Sequence, residues 1–147
     1  MSWESSESIA AIAISRYVDP LDIPRTGGRT VGRNKFIRQK VTVDVVGTIK
    51  GTKGRMFLCD VKQNDAVNKC PVDEDRLPEH QRTALVQHGK NGAIAGLFIE
   101  STHRKRFYWC DWGFLVQRVP SIGFDMMLDL GPSSVVPDLG RLVNRDQ

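Results

Sequence analysis

The chain has 147 residues, of which 40% are hydrophobic and 26% charged, and its formal net charge is +4. This length and balance predict one folded globular domain with a core of its own. No apolar run is long enough to span a bilayer and the N-terminus lacks a secretory pattern, so we expect a cytoplasmic protein without a membrane partner. Three scattered cysteines without a Cys-x-x-Cys pair argue against a zinc site of the usual spacing.

The N-terminal part predicts a helix followed by a basic arm. Residues 5–17 read as a helix, because serines can cap its start and apolar residues recur at helical spacing, and Pro20 ends it. Residues of about 24–35 are rich in glycine and arginine, and we interpret them as a flexible arm that orders on a phosphate backbone. Basic residues continue beyond the arm and predict a DNA-binding surface, or else a merely solvated face. They are Arg25, Arg29, Arg33, Lys35, Arg38, Lys40, Lys50 and Lys53.

A hairpin follows, with strands predicted over residues 36–46 and 55–62 and a glycine-rich turn over 47–54. Each strand carries an acid, Asp44 or Asp60, where an apolar residue is expected. Asp60 and Lys62 share one face, because strand side chains alternate with period two. A buried charge costs roughly several kcal/mol unless it is paired or binds a metal, so these residues predict a site. The alternative is a strand-edge acid and a lysine at an exposed strand end.

The second half alternates further helix and strand patterns. A polar loop is expected over residues 64–75 and a helix over 77–88. A wholly apolar strand over 93–99 and a strand over 106–110 follow, joined by a basic turn at 103–106. Asp111 can cap a short helix through Val116. From about residue 117 the pattern weakens, and we expect a loosely packed tail in which residues 139–143 can form a last amphipathic turn. The order predicts a single α/β domain over residues 1–147.

The two acids and the lysine suit phosphodiester hydrolysis. That reaction needs an activated water and positive charge near the phosphate, and a hard divalent cation with oxygen ligands supplies both. The carboxylates of Asp44 and Asp60, with the carbonyl oxygen of Val61, are candidate ligands of Mg²⁺, which keeps several waters. Lys62 can orient the water or stabilise the charged transition state. Glu7 on the first helix can add a carboxylate, directly or through water.

These motifs resemble known nucleases. An aspartate, then Asp60-x-Lys62 across a hairpin, resembles the arrangement of the PD-(D/E)xK nucleases. Together with Asp44-x-x-Gly47, the helix over 77–88 and the strand over 93–99, it resembles RecU-type Holliday-junction resolvases over about residues 4–115. That family has glutamate where this chain has Asp60, and the wider superfamily accepts either. The chain is shorter than typical members, and its basic arm and hairpin loop differ.

The resemblance assigns roles to individual residues. In that family an acid on the first helix, an aspartate before x-x-Gly and an acid-x-Lys pair form the metal site. The corresponding residues are Glu7, with Glu4 as a competitor, then Asp44, Asp60 and Lys62. The His80-Gln81 pair matches a His-Gln pair of the family. Gln81 would then bind phosphate or position the catalytic lysine, unless it is only a helix surface residue.

The resemblance also implies a fold and a function. It implies a restriction-endonuclease-like core, with a central mixed β-sheet flanked by helices. It implies a Mg²⁺-dependent homodimeric endonuclease that resolves four-way DNA junctions by paired symmetric nicks, with Mn²⁺ able to substitute and no organic cofactor. A compact resolvase encoded by a phage or another mobile element would suit the size. The alternatives are a PD-(D/E)xK nuclease acting on another DNA structure, a non-catalytic basic DNA-binding recombination module, and a structural protein that binds nucleic acid non-specifically.

Overall fold

A six-stranded mixed sheet with helices packed on both faces organises the part of the chain that the computed structural model describes, residues 3–21 and 43–144. The helices are α1 (Trp3–Ser15), α2 (Glu79–Lys90) and α3 (Gly140–Val143). The strands are β1 (Val18–Pro20), β2 (Val45–Ile49), β3 (Met56–Asn64), β4 (Lys69–Pro71), β5 (Ile94–Ser101), β6 (Arg106–Asp111), β7 (Ser121–Gly123) and β8 (Leu128–Pro132). This confirms the predicted α/β class and the central mixed sheet flanked by helices.

The order of strands in the large sheet is β1-β2-β3-β5-β6-β8, and β4 pairs with β7 in a separate two-stranded sheet. Neighbours in the large sheet are antiparallel except β3 and β5, which are parallel. Two parallel strands need a crossover connection, and α2 lies within it. The C-terminal ends of β3 and β5 therefore meet at the same end of the sheet.

Each face of the sheet has its own apolar core, because side chains of β3 alternate between the faces. Phe57, Cys59 and Val61 face α1 and α3 and belong to one buried cluster. Leu58 faces α2 and belongs to the other buried cluster. By the same alternation, Asp60 and Lys62 lie on the α2 face. No helix within the described ranges is long and apolar enough to cross a membrane.

The hairpin turn is shorter than predicted. β2 continues through Ile49, so the turn comprises residues 50–55 rather than 47–54. Gly47 is a strand residue paired with Pro20 of β1, and a Cβ atom on it would lie 2.5 Å from the carbonyl oxygen of Asp19. The close approach of β1, and not a turn, therefore requires glycine there. The first predicted strand begins at residue 36, and its residues before 43 lie outside the described ranges.

The expectation of a loosely packed tail from about residue 117 is wrong for the described part of that segment. The tail contributes β7, β8 and α3, and Phe124, Leu139 and Leu142 in it are fully buried. Strand β4 also interrupts the predicted polar loop. Strands of three residues are too short to show an alternating pattern, and they form here by pairing with each other. The remaining elements of the second half are confirmed within a few residues, including the 3₁₀ helix Trp112–Leu115 capped by Asp111.

Candidate metal centre

The candidate site lies at the end of the β2–β3 pairing, where side-chain hydrogen bonds replace the backbone hydrogen bonds between the two segments. The described backbone pairing of the two strands begins at Val45 and Cys59. Just before it, the Asp44 N–H donates to Oδ1 of Asp60 over 3.1 Å, and the Val61 N–H donates to Oδ2 of Asp44 over 2.8 Å. Each carboxylate thus accepts a backbone hydrogen bond from the opposite segment. These reciprocal bonds fix both acids beside each other at the start of β2.

Lys62 and Gln81 complete the cluster from the α2 side. The Nζ of Lys62 lies 2.8 Å from Oδ2 of Asp60, and it donates to Oε1 of Gln81 over 3.3 Å. The side chain of Asp60 is only 2% exposed, whereas that of Lys62 is 24% exposed. The buried acid is therefore paired, and the lysine connects β3 to α2 while it keeps access to solvent. The structure brings together four of the predicted residues: Asp44, Asp60, Lys62 and Gln81.

The two carboxylates raise the electrostatic cost of this cluster. Asp44 is exposed as a residue, but its carboxyl group faces β3. The pKa of that carboxyl is raised, first by its partial removal from water and further by the charge of Asp60 and a side-chain hydrogen bond with it. The N–H of Val61 and the charge of Lys62 act in the opposite direction. Two acids therefore share one ammonium group, which leaves an excess of negative charge.

This donor set fits a hard divalent cation. The carboxylates of Asp44 and Asp60 are adjacent oxygen ligands, and a cation between them would relieve their repulsion. The N–H and C=O of a strand residue point to the same neighbouring strand. The N–H of Val61 contacts Asp44, so the carbonyl oxygen of Val61 also points towards the segment that carries Asp44. Among the described residues no three His, Cys, Asp or Glu side chains are grouped for a metal. Two carboxylates are nevertheless enough for Mg²⁺, which retains several waters.

None of the described contacts joins Glu7 to this cluster. Glu7 lies on α1, whose buried residues Ala10 and Ala13 pack with Cys59 and Val61 on the opposite face of the sheet from Asp60. The described contacts of Asp60 are with the backbone N–H of Asp44 and the ammonium of Lys62, and neither is with α1. The prediction that Glu7 is a ligand therefore gains no support from geometry. The side chain of Glu4 lies outside the described part of the structure.

The predicted DNA-binding residues divide into two groups. Those of the first group lie outside the described ranges, as does the whole basic arm: Arg25, Arg29, Arg33, Lys35, Arg38 and Lys40. Lys50 and Lys53 lie in the turn between β2 and β3. That turn is at the far end of the hairpin from Asp44. Lys50 is six residues beyond Asp44 along the strand, which corresponds to about 20 Å. The two lysines therefore do not surround the acidic pair.

Lys50 also has a structural contact. Its Nζ donates to the carbonyl oxygen of Ser15, the last residue of α1, over 3.0 Å. A cation at the C-terminus of a helix satisfies a free carbonyl and interacts favourably with the helix dipole. Lys53 is exposed. Of these two predicted DNA contacts, Lys53 is the better placed for an external phosphate.

Two buried charged residues were not singled out by the sequence. Arg82 of α2 is 6% exposed and Glu100 of β5 is 3% exposed. The Nε2 of Gln63 donates to Oε1 of Glu100 over 3.3 Å, on the face of the sheet opposite Asp60. An acid directly after the apolar run 93–99 was an available signal for Glu100. Arg82 has no such signal, because it lies in a helix with mixed polarity.

Comparison of the sequence with models of known protein families gives no match, and comparison with curated proteins gives none either.

Proposed function

We propose that the protein is a Mg²⁺-dependent endonuclease that cuts branched DNA, with a four-way junction as its substrate. The observation that carries the proposal is the group formed by Asp44, Asp60 and Lys62 at the start of β2 and the middle of β3. It combines adjacent carboxylates with an ammonium group that remains accessible. The resemblance to resolvases supplies the junction as substrate and the restriction-endonuclease-like core as fold. The observed mixed sheet flanked by helices is compatible with that core.

The residues of the site would divide the chemistry among them. Asp44 and Asp60 would hold the cation, with their orientation fixed by the backbone N–H groups of the facing segments. When bound, a divalent cation makes water a stronger nucleophile and adds positive charge at the phosphate. Lys62 would stabilise the negative charge that develops on the phosphate oxygens in the transition state. Gln81 would hold Lys62 in place through its side-chain oxygen.

Resolution of a four-way junction needs two symmetric nicks, and the described residues of one chain form one such cluster. Two active sites related by a two-fold axis would meet this need, so the proposal includes a homodimer. The basic residues of the chain would contact backbone phosphates with little base readout, so junction binding should depend strongly on salt and weakly on sequence.

A non-catalytic role is the second candidate, and one observation favours it. Lys62 already forms an ion pair with Asp60 and a hydrogen bond with Gln81, so the cluster also satisfies the requirements of a buried structural charge pair. In that case the protein would bind DNA without cutting it.

Cleavage of defined DNA substrates tests the proposal. Labelled synthetic four-way junction, flap, nicked duplex and linear duplex would each be incubated with the protein and Mg²⁺, with Mn²⁺ or with EDTA. We expect paired nicks in the junction with either metal and none with EDTA. Nicking of another substrate instead would keep the metal site and change the substrate. Binding of DNA without cleavage in either metal would favour the non-catalytic role.

Substitutions at the site test the residue assignment. We expect Asp60→Asn and Lys62→Met each to lower the nicking rate by about 10²- to 10³-fold or more, with junction binding retained. Asp129→Asn is the matched control, because Asp129 forms an exposed ion pair with Arg106 over 2.8 Å on β8, away from the cluster. Wild-type nicking by Asp60→Asn would refute the site assignment, and equal losses in the control would show a non-specific effect.

A further inference from the structure

The turn between β5 and β6, residues 102–105, lies at the end of the sheet that carries the candidate site. In the parallel pairing of β3 with β5, Lys62 is opposite Ile99 and Asn64 is opposite Ser101. The turn therefore begins three residues, or about 10 Å, beyond the level of Lys62. Thr102 fixes it there, since its backbone N–H donates to the carbonyl oxygen of Asn64 over 2.9 Å.

Two of the four basic residues at this turn are neutralised within the molecule. Arg104 forms an ion pair with Asp125 over 2.9 Å, and Arg106 forms one with Asp129 over 2.8 Å. His103 and Lys105 are exposed, and within residues 3–21 and 43–144 no acidic side chain forms an ion pair with Lys105. Among the described residues, the lysine of the turn whose positive charge no ion pair compensates is therefore Lys105.

The backbone of Lys105 has an unfavourable conformation. Its φ is 58°, and it is the one non-glycine residue with positive φ within the described ranges. Glycine or asparagine would adopt this conformation at lower cost than lysine. Two hydrogen bonds hold it: the Lys105 N–H donates to Ser101 O over 2.8 Å, and the Ser133 N–H donates to Lys105 O over 2.9 Å. A lysine at a position that suits glycine points to a use for its charge.

We propose that the β5–β6 turn is a phosphate-binding element, in which Lys105 contacts the DNA backbone beside the phosphate presented to Asp44 and Asp60. This inference rests on the proposed function for its choice of DNA as partner. The contact supplies affinity and orientation and does not read bases. It differs from the basic residues predicted from sequence, because Lys50 and Lys53 lie at the opposite end of the hairpin.

The salt dependence of junction binding tests this element. The affinity of the full-length protein for the synthetic four-way junction would be measured in EDTA, where no cleavage is expected, at several salt concentrations. The slope of log K against log salt is negative, and loss of one phosphate contact makes it shallower by about 0.9. The same loss weakens binding about tenfold at about 50 mM salt. We expect Lys105→Asn to show both effects, and Lys105→Arg to restore most of the affinity. Asparagine tolerates positive φ, so the fold should be kept, and Lys105→Gly provides a second neutral variant if it is not.

Lys90→Asn is the matched control. Lys90 is an exposed lysine at the end of α2, near the opposite end of β5, and its replacement changes the net charge by the same amount. An unchanged slope in both neutral Lys105 variants, or an equal change with Lys90→Asn, would overturn the inference, as would a wild-type protein that does not bind the junction. If the Lys105 variants change the slope but no substrate is nicked, the turn contact stands and the nuclease proposal fails. If nicking occurs and the slope is unchanged, only the turn contact fails.

Discussion

Asp60 of β3 and Arg82 of α2 are both buried charged residues, and their surroundings differ in kind. Arg82 donates from Nη1 to the carbonyl oxygens of Leu115 over 2.8 Å and Gln117 over 3.4 Å, and from Nη2 to that of Val72 over 2.7 Å. Asp60 instead accepts a backbone N–H and the ammonium of Lys62, and it lies beside a second acid. The partners of Arg82 are all neutral carbonyl oxygens, whereas those of Asp60 include a charged ammonium group.

The difference indicates that Arg82 has a structural role and that Asp60 belongs to a candidate ligand-binding site. The hydrogen bonds of Arg82 tie α2 to Val72, which follows β4, and to the end of the 3₁₀ helix and the loop after it. Neutral carbonyl oxygens satisfy its guanidinium donors, and these partners include no second like charge whose repulsion a ligand would relieve. The cluster contains two acids, Asp44 and Asp60, and one accessible ammonium group. A cation from solution would find oxygen ligands there and would neutralise the excess negative charge. We therefore expect changes at Arg82 to act on stability and changes at Asp44 or Asp60 to act on metal binding.

The largest effect on stability is expected from Arg82→Ala. This change leaves three carbonyl oxygens without their donor, and each of the two buried ones costs about 1–3 kcal/mol of the free energy of unfolding when it is left unsatisfied. Urea denaturation of the wild type and the variant measures it. Arg76→Ala is the control, because Arg76 pairs with Asp73 at the surface over 3.2 Å and should contribute about 1 kcal/mol or less. Equal losses in the two variants would contradict the anchoring role of Arg82.

A smaller effect is expected from metal binding at the acidic pair. Mg²⁺ at ten times its Kd should raise the free energy of unfolding by about 1.4 kcal/mol. For a chain of this size that corresponds to a rise of about 4 °C in Tm. Asp44→Asn should abolish the rise, and thermal melts with and without Mg²⁺ measure it. A rise that persists in Asp44→Asn but is lost in Asp129→Asn would place the ion elsewhere.

The same variant has an expected effect without metal. The pKa of Asp44 is raised in the folded state, so ionisation of this carboxyl disfavours the folded state above that pKa, and this cost disappears as the pH falls through it. Asp44→Asn removes the charge and should therefore raise Tm slightly at neutral pH when no metal is present. A lower Tm under those conditions would show that the carboxylate contributes net stability through its bond to Val61.

The candidate site was largely predictable because its pattern is local. Acids inside apolar strands and the period-two relation of Asp60 to Lys62 need only a few residues of sequence, and the hairpin brings Asp44 alongside. The proximity of Gln81 to Lys62 depends on the packing of α2 on that face of the sheet, which no local pattern predicts. Gln81 was predicted only through the resemblance to resolvases. The α/β class followed from the order of strong helix and strand patterns.

The errors arose where tertiary contacts decide. A helix can pack on either face of a sheet, so the sequence of α1 alone does not decide whether Glu7 lies near Asp60, and that assignment stays a prediction. Gly47 was interpreted as a turn residue, although the close approach of β1 requires glycine equally well. The pairing of β4 with β7 joins three-residue strands that are distant in sequence, and no local pattern marks them.

The smallest expected effect concerns the exposed ion pair at the start of α2. Side-chain hydrogen bonds from the Arg118 guanidinium lower the pKa of Glu79 from its ordinary 4.5 to about 2. A lowered acid pKa gives stability that is complete above about pH 4.5 and is lost as the pH falls towards 2. The Tm of the wild type should exceed that of Glu79→Gln by a small constant amount above pH 4.5, and the difference should vanish near pH 2. The loss of stability in Arg82→Ala should not follow this curve, because the carbonyl partners of Arg82 do not titrate. If the wild type and Glu79→Gln lose stability in parallel over this range, the Arg118 contact contributes nothing in solution, and Arg82 is the principal arginine anchor of α2.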